Sequence, residues 1–449
     1  MNSWTPARVA QAAGAQLVRP GTSGEGPSRA VIDSRGVSPT ELFVGLRGAR
    51  VDGGSFARDV LRGGAWGALV SPDHAAGLAD EPGVVLASPD PLDSLQKLAH
   101  EWRRELGARV IAITGSTGKT STKDILAALL GGALVTVASR QNLNTEIGLP
   151  LAILEAPAGT EVLVLELAMR GRGQIAQLTE ICEPDVGVIV NVGPVHLSLL
   201  GTVENVAAAK AELIAGMAPG TTAVLPAREP LLDAHRRADL DHITFGSGGD
   251  VSLGARHDDG RVTVLAPGLE LELEPAFSQA HNLDNLLAAV AAALAVGVTP
   301  RGRVDVTFSA LRGERLTLPG RIILVNDCYN ANPMSMRAAL DDLAATADAR
   351  RVAVLGDMLE LGPEELRFHR QVGEHARRVG VDLLITVGAL AGEIGRAFGP
   401  HAHAVSDAEQ AAQRLRELLQ EGDTVLVKGS RGVGLEVIAQ ALTASRADP

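Results

Sequence analysis

The stretch Thr114-Gly115-Ser116-Thr117-Gly118-Lys119-Thr120-Ser121-Thr122 constrains this chain more than any other part of it. It follows a strand-like run with an apolar interior, Arg109 to Thr114, and opens a helical segment, DILAALL. Glycines at those places let the backbone curl until several N–H groups and a helix N-terminus face one anion. Lys119 is then placed to neutralise terminal phosphates, and the Thr120 hydroxyl to hold a magnesium ion. The strict phosphate-loop pattern asks for glycine five positions before Gly118, where Ile113 stands. The plain alternative is a tight strand-to-helix turn with an incidental lysine. Either way, an apolar strand running straight into a helix is the first half of a βαβ unit, and its repetition along the chain indicates a parallel α/β sheet.

The rest of the chain fits that frame. A length of 449 residues is about three domains' worth. Short apolar runs at Leu42–Leu46, Ala68–Val70 and Val84–Leu86 are broken by Gly, Pro and Asp, and a helix is expected from Pro91 to Leu106. Its apolar residues Leu92, Leu95, Leu98 and Trp102 recur at three- and four-residue steps. Apolar strands at 109–114, 162–167 and 186–192 alternate with helical stretches. A second series follows a break near Leu316–Gly320, with strands at 322–326, 351–355, 383–387 and 424–428. Gly248 to Leu273 has short alternating strands and reads as a small antiparallel insertion. The expected architecture is α/β in three domains: a small mixed domain over 1–107, a central parallel-sheet domain with the phosphate loop over 108–317, and a Rossmann-like domain over 318–449.

Charge and cysteine content narrow the function. With 41 basic against 53 acidic residues the formal charge is −12, which argues against a broad nucleic-acid or anionic-membrane surface. The longest apolar run, Leu286 to Val298, is too short to span a bilayer, and no basic region followed by an apolar core opens the chain. Cys182 and Cys328 lie far apart, outside any CxxC pair, so neither a zinc site nor a disulfide framework is expected. A soluble, cytoplasmic, monomeric enzyme is the expectation.

Several further residues are placed to do chemistry, each with a blander reading beside it. Glu166 ends an apolar strand, where α/β sheets bind ligands; it could equally be an ordinary strand-end carboxylate. His196 follows the turn Asn191-Val192-Gly193-Pro194, as a surface loop residue also would. Lys210 stands alone on an Ala-rich helix, usually a solvated position. The loop from Arg140 to Pro150 carries Asn142, Asn144 and Thr145. Asn282 sits in His281-Asn282-Leu283-Asp284-Asn285 at a helix start, where asparagine is often only a cap. Ser34, Arg35 and Arg47 lie in the first hundred residues, and guanidinium groups suit diphosphates.

Taken together, the shortened TGxxGKT loop, NxNTxxGxP at 142–150, HNxxN at 281–285 and DxYNANPxSM at 327–336 resemble the Mur ligase family and its folylpolyglutamate synthase relatives along almost the whole chain. The resemblance implies that ATP lies on Gly115, Ser116, Thr117, Gly118, Lys119, Thr120 and Ser121, with Asn282 facing adenine and Asp327 the ribose or phosphates. Arg312 is a candidate partner of ATP, with Arg315 and Arg321 as competitors. It implies two magnesium ions held by Thr120, Glu166, His196 and a carbamylated Lys210, with Lys119, Glu166, His196 and Lys210 forming the catalytic set. Asn142, Asn144 and Thr145 would meet the sugar–peptide substrate, and Ser34, Arg35 and Arg47 its UDP end. Tyr329, Asn330 and Asn332 stand in the signature of the branch that adds D-alanyl-D-alanine to UDP-N-acetylmuramoyl-tripeptide. The competing readings are another amide ligase of this type and, from a different class, a phosphate-loop switch without ligase activity.

Overall fold

The computed structural model describes residues 1–22, 24–140 and 142–444, so Gln141 of the polar loop lies outside the described residues. The central sheet has the order Asp241–Phe245, Thr222–Pro226, Val186–Ile189, Arg109–Thr114, Val162–Glu166, Thr136–Ala138, every pair parallel. Its middle strands show why the run was apolar throughout. Successive side chains point to opposite faces of a strand. Val110 and Ala112 therefore enter one core while Ile111 and Ile113 enter the other, and Leu163 and Leu165 oppose Val162 and Val164 in the same way. Helices Lys119–Leu130 and Ala280–Ala295 pack together over the second face.

The helix Pro91–Leu106 joins the N-terminal region to this sheet. Asp90 caps it by accepting from the N–H groups of Leu92 and Asp93, and Gly107 ends it at φ 62°. Leu95, Leu98, Ala99 and Trp102 are buried, Trp102 edge-on to Trp4 at 5.4 Å and donating through Nε1 to the Ala156 carbonyl at 3.0 Å. Burying one such side chain contributes on the order of 2–3 kcal/mol. The N-terminal sheet runs Gln16–Arg19, Val84–Ala87, Gly67–Val70, Glu41–Val44, Arg29–Val31, with the first strand antiparallel.

The segment read as an antiparallel insertion is one: Ser252–Arg256, Val262–Ala266 and Leu269–Pro275 pair antiparallel, and Gly302–Val304 adds a parallel edge. The last sheet has the order Glu314–Leu318, Ile322–Asn326, Thr424–Lys428, Arg351–Gly356, Leu383–Val387, Ala402–Val405. Its strand Glu314–Leu318 pairs antiparallel with Ile322–Asn326 across a short turn, so this sheet begins before the break expected at 317/318. Among the described residues no helix is long and apolar enough to cross a membrane.

Candidate active site at the phosphate loop

Gly118 makes the turn from strand to helix. Its φ of 80° is left-handed, and a Cβ there would stand 2.4 Å from Asn285 Oδ1. The backbone term alone costs about 1–2 kcal/mol for an L-residue, and the clash adds to it. Gly118→Ala is therefore expected to weaken nucleotide binding at least about tenfold, measured by calorimetric titration with ADP.

Asn191 holds the loop's shape. Its Oδ1 accepts from the N–H groups of Ser116 (3.1 Å) and Thr117 (3.0 Å), and its Nδ2 donates to the Thr117 carbonyl at 3.1 Å. Ser116 Oγ is further locked between the N–H and the carbonyl of Gly193. Lys119 curls back to donate to the Gly115 carbonyl at 2.9 Å. Burial lowers its pKa, the charge of Glu166 opposes that, and Arg312 adds to the lowering.

Glu166 is 3% exposed, and both its oxygens are engaged: Oε2 accepts from Thr120 Oγ1 at 2.7 Å and Oε1 from Asn144 Nδ2 at 2.9 Å. Among the described residues of the polar loop, Asn144 is the one that reaches this carboxylate; Thr145 Oγ1 instead accepts from Gly148 N, and Asn142 is exposed. Among the described residues no group of three or more His, Cys, Asp or Glu side chains gathers as an all-protein metal cage. Magnesium takes one or two carboxylates and leaves its other positions to phosphate and water, and the hard oxygens of Thr120 and Glu166 fit it.

Lys210 overturns the plain reading of its helix. It is 2% exposed on Val203–Gly216 and makes neither hydrogen bond nor ion pair to a described residue. Burial first, then the charge of Lys119, pushes its ammonium well below the usual lysine range. The neutral amine is the form that adds to carbon dioxide, and a lowered pKa favours that form, so the surroundings fit a carbamate there. His196 feels both lysines. Its backbone is left-handed at φ 52°, and Nδ1 lies 2.5 Å from a Glu360 oxygen contributed by the C-terminal part. Burial lowers its pKa and Glu360 works against that.

Beside the loop lies a cavity of about 940 Å³ lined by Ser116 to Ser121, Asn282, Asn285, Arg312, Asp327, Asn330, Asn332 and Lys428, among others. Asn282 Oδ1 accepts from Asn285 Nδ2 at 3.2 Å. The three arginines separate clearly. Arg315 is paired with Asp342 at 2.9 Å, and Arg321, 84% exposed, with Glu421 at 2.9 Å. The Arg312 guanidinium lies 4.1 Å from the Tyr329 ring centroid, at the cavity wall. Asp327 accepts from the buried Lys428 Nζ at 2.6 Å, and Asn332 caps helix Pro333–Thr346 while reaching the Ser116 carbonyl at 3.4 Å.

Ser34, Arg35 and Arg47 are on the N-terminal part and do not line this cavity; Arg35 is 89% exposed and bound to Asp33 at 2.8 Å, and Arg47 is exposed. Asn191, Asn285, Glu360 and Lys428 were not among the sequence candidates. The signal for Lys428 was present, since it closes an otherwise apolar strand at the ligand-binding end of a parallel sheet. Glu360 gave none.

Residues 30–101, 113–293 and 311–431 match the family models described as Mur ligase family, catalytic domain; Mur ligase middle domain; and Mur ligase, glutamate ligase domain. A UDP-N-acetylmuramoyl-tripeptide–D-alanyl-D-alanine ligase of Bacillus subtilis is 33% identical over 92% of each chain. The enzyme of that name from Synechocystis is 37% identical over 92% of this chain and 91% of its own. Among solved structures, MurF of Acinetobacter baumannii superposes with a TM-score of 0.88 at 28% identity, covering 98% of this chain and 99% of that one. A MurF ligase of Thermotoga maritima in complex with ADP gives 0.81 at 30% identity, covering 93% and 98%.

Proposed function

Because this chain belongs to the Mur ligase family, we propose that it is the ATP-dependent carbon–nitrogen ligase that joins D-alanyl-D-alanine to UDP-N-acetylmuramoyl-tripeptide in peptidoglycan precursor synthesis. The observation that carries this reading is that Lys119 and Thr120, the latter bound to Glu166, line one cavity with Asp327, Asn330 and Asn332.

A carboxylate does not condense with an amine in water without a leaving group. The γ-phosphoryl group of ATP passes to the terminal carboxylate of the tripeptide, and the dipeptide amine then attacks the acyl phosphate and expels phosphate. The loop and the Lys119 ammonium receive the phosphates, as preorganised donors aimed at developing charge. Asn282, bound by Asn285, faces the base, and Arg312 and Asp327 hold the ribose–phosphate end. Asn144 steadies Glu166 and faces the sugar–peptide, while Tyr329, Asn330 and Asn332 border the dipeptide's approach. Ser34, Arg35 and Arg47 take the UDP end on the N-terminal domain. Thr120 and Glu166 would hold one magnesium ion, and His196 with a carbamylated Lys210 a second; bound there, the ions draw charge from the phosphate oxygens. Contacts from two sheets make domain closure part of the chemistry.

The same proposal divides the chain into a UDP-sugar-binding domain (1–107), an ATP-binding domain (108–317) and a C-terminal Rossmann-like domain (318–449), with the strand at 314–318 joining the last sheet. It takes the enzyme to be a cytoplasmic monomer. Phosphate release from ATP, with UDP-N-acetylmuramoyl-tripeptide constant and the amine varied, tests it. Release that depends on D-alanyl-D-alanine, with a product of the summed mass less water, is expected. Release indifferent to both substrates would overturn the ligase reading in favour of an uncoupled nucleotide switch.

A further inference from the structure

Residues 305–313 carry the chain from the strand Gly302–Val304 to the strand Glu314–Leu318, and so from the central part to the C-terminal sheet. They hold Arg312 at the cavity wall. The segment has few supports, and each is specific. Phe308 packs edge-on against Phe277 at 5.5 Å. Ser309 donates twice to one oxygen of Asp124, through its N–H at 2.9 Å and its hydroxyl at 3.0 Å. Leu311 stands at φ 63°, a left-handed conformation that a non-glycine residue keeps only where its surroundings over-determine it. Beyond it, the Leu311 carbonyl accepts from Tyr329 N at 3.3 Å, and Arg312 lies on the Tyr329 ring.

Asp124 belongs to the phosphate-loop helix Lys119–Leu130, and its side chain is 10% exposed. Lys123, 4% exposed, donates to its other oxygen at 2.6 Å. Two adjacent, oppositely charged side chains on a helix are ordinarily a solvated pair of small worth. Here the pair is nearly buried, and Asp124 Oδ2 is given wholly to a residue 185 positions further along the chain. The helix whose first turn receives the phosphates is thereby tied to the segment that carries the opposing cation.

We propose that Asp124 is a positioning residue: by holding Ser309 it fixes the left-handed turn at Leu311, and through that turn it sets the Arg312 guanidinium against the nucleotide. Without the clamp, Leu311 is free to relax to a right-handed or extended conformation, which swings Arg312 off the Tyr329 ring. The inference rests on the ligase reading only in that it takes a nucleotide to fill the cavity.

A double-mutant cycle tests it, with ADP affinity measured by calorimetry and ligation rate measured separately. Asp124→Ala and Arg312→Ala are each expected to weaken ADP binding about tenfold, and the double variant no more than Arg312→Ala alone, since residues acting through one another are not additive. Asp124→Asn keeps an acceptor for Ser309 and is expected within about twofold of the parent, whereas Ser309→Ala loses one of two bonds and about threefold in affinity. Effects of Asp124→Ala and Arg312→Ala that multiply would overturn the proposal, and so would an Asp124→Asn variant as weak as Asp124→Ala. If Asp124→Ala does not fold, the cycle of Ser309→Ala with Arg312→Ala decides by the same criterion. A parent protein that binds ADP but ligates nothing would sink the ligase reading and leave this cycle readable.

Discussion

Lys210→Ala is expected to lower the ligation rate on the order of 10²–10³-fold, the scale of removing one preorganised stabiliser of transition-state charge, while ADP affinity changes little. The argument starts from burial. An ammonium at 2% exposure, without a partner and beside Lys119, is held in an unfavourable state, and its pKa falls well below 10.5. The unfolded chain therefore binds one more proton than the folded chain at every pH between the two values, and stability rises with pH across that window. At neutral pH the unmodified lysine costs stability. Addition of carbon dioxide to the neutral amine would replace that cost with an anion attracted to the Lys119 charge. Bicarbonate should accordingly raise the Tm of the parent protein and leave that of Lys210→Ala unchanged, and labelled bicarbonate should give a carbamate carbon resonance in the parent alone. A parent indifferent to bicarbonate in Tm, resonance and rate, beside a fully active Lys210→Ala, would remove the carbamate from the mechanism.

Lys119→Ala should cost about as much in rate, on the order of 10³-fold, and should weaken ADP binding as well, because Lys119 serves bound nucleotide and transition state alike. Lys119→Arg is not expected to restore activity. A planar guanidinium cannot occupy the space of an ammonium folded 2.9 Å from the Gly115 carbonyl. The substitution carries a second, independent consequence. Lys119 is one of the two causes that lower the Lys210 pKa, so its removal should move that pKa upward and shift bicarbonate uptake to higher pH. Carbamate formation monitored against pH in Lys119→Ala and the parent checks this. An unchanged profile would mean that the two lysines do not share one electrostatic environment.

Much of the architecture was legible because it is local. The run Arg109–Thr114 is apolar at each of its four inner positions because both faces of its strand are covered, and the structure divides it between two cores as period-two geometry requires. The helix Pro91–Leu106 carried its own start and stop in Asp90, Pro91 and Gly107. The phosphate loop could be read because its chemistry is contiguous, a glycine turn, a lysine and a hydroxyl between a strand and a helix.

The partners of the site were a different matter. His196 meets Glu360 across 164 positions, Asn332 reaches Ser116 across 216, and Asp124 takes Ser309 across 185. Hydrophobic period and capping residues specify which element forms, but they carry no term for which distant loop will face it. Lys210 shows the same limit from the other side. A single lysine among alanines on a helix reads as solvated, since neither helical period nor propensity separates a buried face from a wet one when most of its neighbours are small and apolar. The sequence by itself determined the parallel sheets, the phosphate-binding turn and the types of residue available for the chemistry. Tertiary packing alone decided that Lys210 would be buried beside Lys119, that Arg312 rather than Arg315 or Arg321 would stand without a carboxylate at the cavity wall, and that Glu360 would close on His196. The physical reason is that burial and charge partnership are properties of the space between elements, and that space exists only once the sheets have come together.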